Sequence, residues 1–146
     1  MIIHALKYLL PAILALLTAS AQAEPDLGAP EAAARAQSGK LTLIDIRTPP
    51  EWKETGVARG AKLINMQHPQ GAPGFTNALL EKLGGDKNAP IALICRTGNR
   101  TTQVQRYLQS QGFTQVYNIK EGMAGSAAGP GWLKRGLPVE TCTSQC

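Results

Sequence analysis

The chain has 146 residues, 43% of them hydrophobic and 17% charged, with a formal net charge of +5. That length gives room for one domain, large enough for a single core. Its positive charges are dispersed, never more than two adjacent, and only 5% of residues are aromatic, which argues against a nucleic-acid partner and for small acidic ligands.

The first 23 residues read as a secretory signal peptide. Lys7 gives a weakly positive start, Leu9 to Ala19 is apolar apart from Pro11, and Ala21-Gln22-Ala23 is a small-x-small cleavage site. The apolar run is shorter than the roughly 20 residues that span a bilayer. No cysteine stands near the cleavage point to carry a lipid. The expected product begins near Glu24 as a periplasmic or secreted domain without stable membrane association; an uncleaved anchor is the alternative.

Residues 24–29 read as a linker. Pro30 to Ser38 is alanine-rich and helical, with Gly39 placed to end it. Leu41 to Ile46 is apolar enough for a strand buried on both faces, and Pro49-Pro50-Glu51-Trp52 suits the first turn of a short helix. Gly60 to Asn65 carries a second short strand. Pro69 to Gly74, with two prolines and two glycines, reads as loop. Phe75, Leu79, Leu80 and Leu83 then recur at helical spacing before Gly84-Gly85. Ile91 to Ile94 is a third strand, Thr101 to Gln111 a helix with Val104, Tyr107 and Leu108 on one face, and Val116 to Ile119 a further strand. Short, almost wholly apolar strands alternating with helices predict an α/β domain, with a central parallel sheet of about five strands flanked by helices on both faces. In such sheets ligands bind beyond the carboxyl ends of the strands.

Cys95 stands at one such end. The strand Ile91 to Ile94 stops at this cysteine, a short loop with one glycine follows, and a helix begins. That order aims a sulfur at the free N–H groups of a helix N-terminus, where negative charge is stabilised. Arg96 and Arg100 add fixed positive charge. The amides of Arg96, Thr97, Gly98, Asn99, Arg100 and Thr101 are expected to cradle a charged sulfur, with Gly98 allowing the tight turn. The two arginines are candidates for gripping an anion's oxygens, unless Arg100 pairs with a carboxylate and braces the loop. Asp45 and Arg47, at the end of the first strand, read as a structural brace near the site. Trp52 and Trp132 read as core anchors, and His68 as a solvated loop residue.

Three cysteines leave one unpaired in an exported chain. Either Cys142 and Cys146 pair in the tail, or one of them resolves an oxidised Cys95. With His68 the one histidine beyond the signal segment and no second cysteine pair outside the tail, neither a metal site nor a cofactor is expected.

From Pro30 to Glu140 the chain resembles the rhodanese family of single-domain sulfurtransferases. Leu43 to Trp52 is similar to the family's first motif, an aspartate and arginine ahead of a Pro-Glu-aromatic helix start. Gly60 to Asn65 is similar to its Gly-Ala-x-x-x-Asn, Cys95 to Thr101 to its active-site loop, and Gly122-Met123 with Gly131-Trp132 and Gly136 to Val139 to its closing motif. Val57-Ala58-Arg59 departs from the His-Ile-Pro common before Gly-Ala. The resemblance implies a Cys95 persulfide that carries sulfur from an anionic, thiosulfate-like donor to cyanide, a thiol or a protein acceptor. Two other readings share the cysteine loop: a sulfur-carrier or thiol-redox module without small-molecule turnover, and a cysteine-dependent phosphatase or arsenate reductase. The latter families place five residues between cysteine and arginine, whereas Cys95 and Arg100 have four between them.

Overall fold

The computed structural model describes residues 25–144 and 146; the expected signal segment lies outside them. In chain order the elements are α1 (Ala29–Gln37), β1 (Thr42–Asp45), α2 (Pro49–Thr55), β2 (Val57–Ala58), β3 (Lys62–Leu63), α3 (Gly71–Lys82), β4 (Ile91–Ile94), α4 (Asn99–Ser110), β5 (Val116–Asn118) and β6 (Val139–Glu140).

Four strands form a parallel sheet in the order β3-β1-β4-β5. Successive side chains of a strand point to opposite faces, and the two cores follow that period. Leu43, Ala92 and Ile94 face α1, packing with Ala29, Ala32 and Trp132. Ile44, Ile46, Ile91 and Leu93 face the other way, onto Phe75 and Leu79 of α3 and Val104 and Leu108 of α4. Cys95 is in phase with Ile91 and Leu93, so it falls on the α3–α4 side. The register sets Asp45 beside Ile94, which brings the ends of β1 and β4 to one edge of the sheet.

The sheet has four strands where about five were expected. β2 pairs antiparallel with β6 as a separate ribbon, so Val57 and Ala58, to which the sequence pattern assigns no element, form a strand. The segment 24–29 is not a free linker from Pro25 onward. The Asn118 amide donates to the Pro25 carbonyl at 3.1 Å, Leu27 donates to the Asn118 carbonyl at 3.0 Å, and the Leu27 side chain is buried. This single parallel bridge covers part of an otherwise open strand edge.

The predicted loop 69–74 also differs, because α3 begins at Gly71. Pro73 lies in the first turn, where a missing N–H costs no intrahelical bond. Gly74 serves packing: a Cβ there would strike the His68 ring. Likewise α4 starts at Asn99, two residues before the sequence pattern suggests, because Gly98 turns the chain into the helix with φ of 90°.

Candidate active site

The loop after β4 is clamped to the turn after β5. Ladder bonding continues past both strands, with the Met123 amide donating to the Cys95 carbonyl and the Ala124 amide to the Arg96 carbonyl, each at 2.9 Å. The two backbones approach so closely that glycine is required on both sides. Gly98 has φ of 90° and a Cβ there would collide with the Lys120 carbonyl; Gly122 has φ of 62° and a Cβ would collide with that of Arg96. Both are left-handed conformations that glycine adopts without steric cost.

This turn brings the Gly98 N–H back onto Cys95 Sγ at 3.1 Å. Thr101 Oγ1 lies 3.5 Å from the same sulfur. The Thr101 hydroxyl also donates to the Gly98 carbonyl at 3.0 Å, an oxygen that receives the Thr102 hydroxyl at 2.8 Å and the Thr102 amide at 3.1 Å. A threonine hydroxyl has one hydrogen and two lone pairs. When Sγ carries negative charge, the Thr101 hydrogen can swing to it, because Thr102 still satisfies the Gly98 oxygen. The twelve-residue α4 starts at this point and adds the positive end of its dipole. Of the six amides expected to cradle the sulfur, the one that donates to Sγ itself is that of Gly98. The tight turn that aims this amide also buries the sulfur, and Cys95 is 1% exposed.

Arg100 is committed to a carboxylate. It donates from both terminal nitrogens to Glu51, at 2.9 and 2.6 Å, and so ties the start of α4 to the start of α2. Glu51 Oε2 also accepts the Thr48 amide at 3.0 Å and hydroxyl at 2.9 Å, capping α2. The Arg100 hydrogen bonds, opposed by burial and helped by Thr48, lower the Glu51 carboxyl to a pKa of about 2. The Arg100 guanidinium is raised in turn, first by Glu51 against its own burial. Arg100 therefore braces the loop and does not offer its fork to a donor.

A sign follows for acid stability. Glu51 is depressed in the fold, so its contribution is complete above the ordinary carboxylate range and disappears as pH falls toward 2. In Glu51→Gln, acid unfolding followed by circular dichroism is expected to lose the part of its pH dependence between about 4.5 and 2. An unchanged acid limb would contradict this role.

Asp45 and Arg47 form a second, deeper brace. Asp45 is fully buried and Arg47 is 1% exposed. Arg47 Nη2 meets Asp45 Oδ2 at 2.8 Å, its Nε donates to both Asp45 oxygens at 3.1 Å, and the Arg47 amide donates to Oδ1 at 3.0 Å. Trp52 Nε1 adds a bond to Oδ1 at 3.1 Å. The remaining guanidinium hydrogens reach Thr55 Oγ1 at 2.8 Å and the Gly56 carbonyl at 2.9 Å. A buried pair satisfied on both sides fixes where β1 ends and α2 begins, beside the loop.

Arg96 is exposed, and its guanidinium makes no hydrogen bond or ion pair among the described residues. It lines a cavity of about 220 Å³ against the loop, with Glu51, Glu54, Met123 and Leu133. Thr97 is half-buried and Asn99 exposed. Trp132 anchors the closing segment, its Nε1 donating to the Pro138 carbonyl at 3.0 Å. His68 is half-buried, not solvated as expected: its Nδ1 accepts the Gln70 amide at 3.1 Å, which turns the chain into α3. Cys142 and Cys146 are joined as a disulfide with their Cα atoms 6.0 Å apart, which leaves Cys95 as the free cysteine. Among the described residues no His, Cys, Asp or Glu cluster could hold a metal.

Glu121 is a site support that sequence reasoning missed. It is 3% exposed and accepts the Ala29 amide, the Gly131 amide and Arg135 Nε at 2.9, 2.9 and 2.7 Å. Burial would raise its carboxyl, but Arg135 and the two amides outweigh it and hold the group below its ordinary range. It thereby ties the turn clamped to the Cys95 loop to both α1 and the closing segment. The available signal was an acidic residue beside the glycine of that turn.

The sequence matches the rhodanese-like domain over residues 28–128. It is 35% identical over 87 residues to the thiosulfate sulfurtransferase GlpE of Actinobacillus pleuropneumoniae serotype 3, covering 57% of this chain and 73% of that protein. An uncharacterized protein of Rickettsia prowazekii is 26% identical over 98 residues, covering 66% and 80%. Among solved structures, the polysulfide-sulfur transferase homodimer of Wolinella succinogenes superposes with a TM-score of 0.61 at 28% identity, over 82% of this chain and 80% of that one. A rhodanese-like domain from Anabaena gives a TM-score of 0.63 at 23% identity, over 82% and 81%, a likeness of fold.

Proposed function

The chain belongs to the rhodanese-like family, and from that premise we propose that it is a sulfurtransferase working through a Cys95 persulfide. The observation that carries the reading is the Gly98 N–H donated to a free, buried cysteine sulfur at the head of α4. In the first half-reaction the Cys95 thiolate attacks the outer sulfur of a thiosulfate-like donor. The new bond joins Sγ to that sulfur, the donor's sulfur–sulfur bond breaks, and its electron pair leaves with sulfite. Negative charge then rests on the outer sulfur of the persulfide, with the Gly98 amide, the Thr101 hydroxyl and the α4 dipole stabilising the loop around it. In the second half-reaction cyanide or a thiolate attacks that outer sulfur and returns the electron pair to Sγ.

Sulfite leaves before the acceptor arrives, so steady-state rates with thiosulfate and cyanide are expected to give parallel double-reciprocal lines. Intersecting lines would contradict the persulfide intermediate, and turnover with a protein acceptor alone would favour a carrier. The sequence of residues 1–23 supports placing this reaction in the periplasm or outside the cell.

Arg96 is the donor-binding residue in this reading, the guanidinium of the loop that has no partner among the described residues. Arg96→Ala is expected to raise the KM for thiosulfate about tenfold, the order of one lost charge-assisted hydrogen bond, and to spare an uncharged sulfur donor. Equal losses for both donors would remove Arg96 from that role.

A further inference from the structure

The cavity beside the loop contains an unpaired charge that the donor half-reaction does not explain. Its walls include Arg96, Met123 and Ala124, from the two segments clamped together at Cys95; Cys95, buried, is not in the wall. Arg47 and Glu51 also line it, but both are spent on Asp45 and Arg100. Two charged residues remain, Arg96 and Glu54, both exposed and without a partner among the described residues. Met123 and Leu133 supply apolar surface, and Leu133 is the large hydrophobic side chain left exposed among the described residues. A volume of about 220 Å³ is below the roughly 300–1,000 Å³ of drug-sized sites and suits a compact molecule.

Thiosulfate and sulfite are anions, so Glu54 can only oppose them. An opposed pair of charges over a small apolar wall fits a zwitterion. Resting on the sulfurtransferase reading, we infer that this cavity is the acceptor subsite and selects a zwitterionic thiol of amino-acid size. Arg96 takes its carboxylate, Glu54 its ammonium, and Met123 and Leu133 its methylenes. Arg96 serves the donor's oxygens first and the acceptor's carboxylate after sulfite has left, which the two-step order permits. In the transfer, the acceptor thiolate forms a bond to the outer sulfur, the bond from that sulfur to Sγ breaks with its electron pair going to Sγ, and the acceptor's proton ends on the new persulfide or in solvent.

The test measures kcat/KM for three acceptors with thiosulfate as donor: cysteine, cysteamine, which has the ammonium alone, and 3-mercaptopropionate, which has the carboxylate alone. The readout is each thiol's ratio of variant to wild type, which cancels differences in intrinsic reactivity. Glu54→Gln is expected to lower the ratio for cysteine and cysteamine about threefold to fivefold, the order of an exposed ion pair, and to raise it for mercaptopropionate, an anion that Glu54 opposes. The same substitution is expected to lower the KM for thiosulfate, an opposite effect that a purely structural role would not give. Arg96→Ala is expected to lower the ratio for cysteine and mercaptopropionate and spare cysteamine. Equal effects of Glu54→Gln on all three thiols, or none, would overturn the inference. Wild-type turnover of cyanide separates the two levels: if it proceeds without this charge selectivity, the acceptor subsite alone fails. If thiosulfate loads no sulfur on the protein, the sulfurtransferase reading fails and the subsite with it.

Discussion

Cys95→Ser is expected to abolish sulfur transfer, by at least about 10⁴-fold, the order of loss when a catalytic nucleophile is removed. The fold is expected to survive. A serine hydroxyl is a polar group placed in a buried position, but it inherits two partners, the Gly98 amide and Thr101 Oγ1. Its burial is therefore compensated, and the stability change stays near about 1 kcal/mol, measured by thermal melting. Retained turnover in a folded variant would remove the sulfur from the chemistry. Lost turnover with lost folding would place Cys95 in the core and leave its chemical role without support.

The second large effect is on stability. Asp45→Ala strands the buried Arg47 guanidinium and leaves Trp52 Nε1 without an acceptor. Breaking one side of a buried ion pair costs about 3–5 kcal/mol, against a total stability of about 5–15 kcal/mol for a domain. Urea unfolding is expected to rank wild type above Asp45→Asn, and Asp45→Asn above Asp45→Ala. The asparagine keeps an acceptor for Trp52 and for one guanidinium nitrogen while losing the charge. The double variant Asp45→Ala with Arg47→Met is expected to recover part of the loss, because no uncompensated charge remains buried. An Asp45→Ala protein as stable as wild type would show that the pair does not hold the junction of β1 and α2.

Particular residues show why parts of this structure are legible in the sequence and others are not. β4 and its cysteine are plain because four consecutive apolar residues end at a thiol, and a period-two strand then fixes which face Cys95 takes. The start of α3 is obscured by Pro73 and Gly74, which signal a break although one occupies a first turn and the other makes room for His68. β2 and β6 have two residues each, too few to show any period, and they pair across some 80 positions of sequence. The same distance problem hides the site supports. Arg100 finds Glu51 across 49 positions, and Glu121 reaches the Ala29 amide across 92. Both arginines of the loop look alike in sequence. Only the fold distinguishes Arg100, spent on a brace, from Arg96, left free at the cavity. Local order thus reveals the nucleophile, whereas the groups that position it are brought together by long-range packing.

The most direct measurement is the intact mass of the protein after incubation with thiosulfate, followed by peptide mapping. The account predicts a gain of one sulfur atom, located on Cys95, that cyanide or cysteine removes, with Cys142 and Cys146 still joined. A mass unchanged by thiosulfate, or the added sulfur found on the tail cysteines, would contradict it.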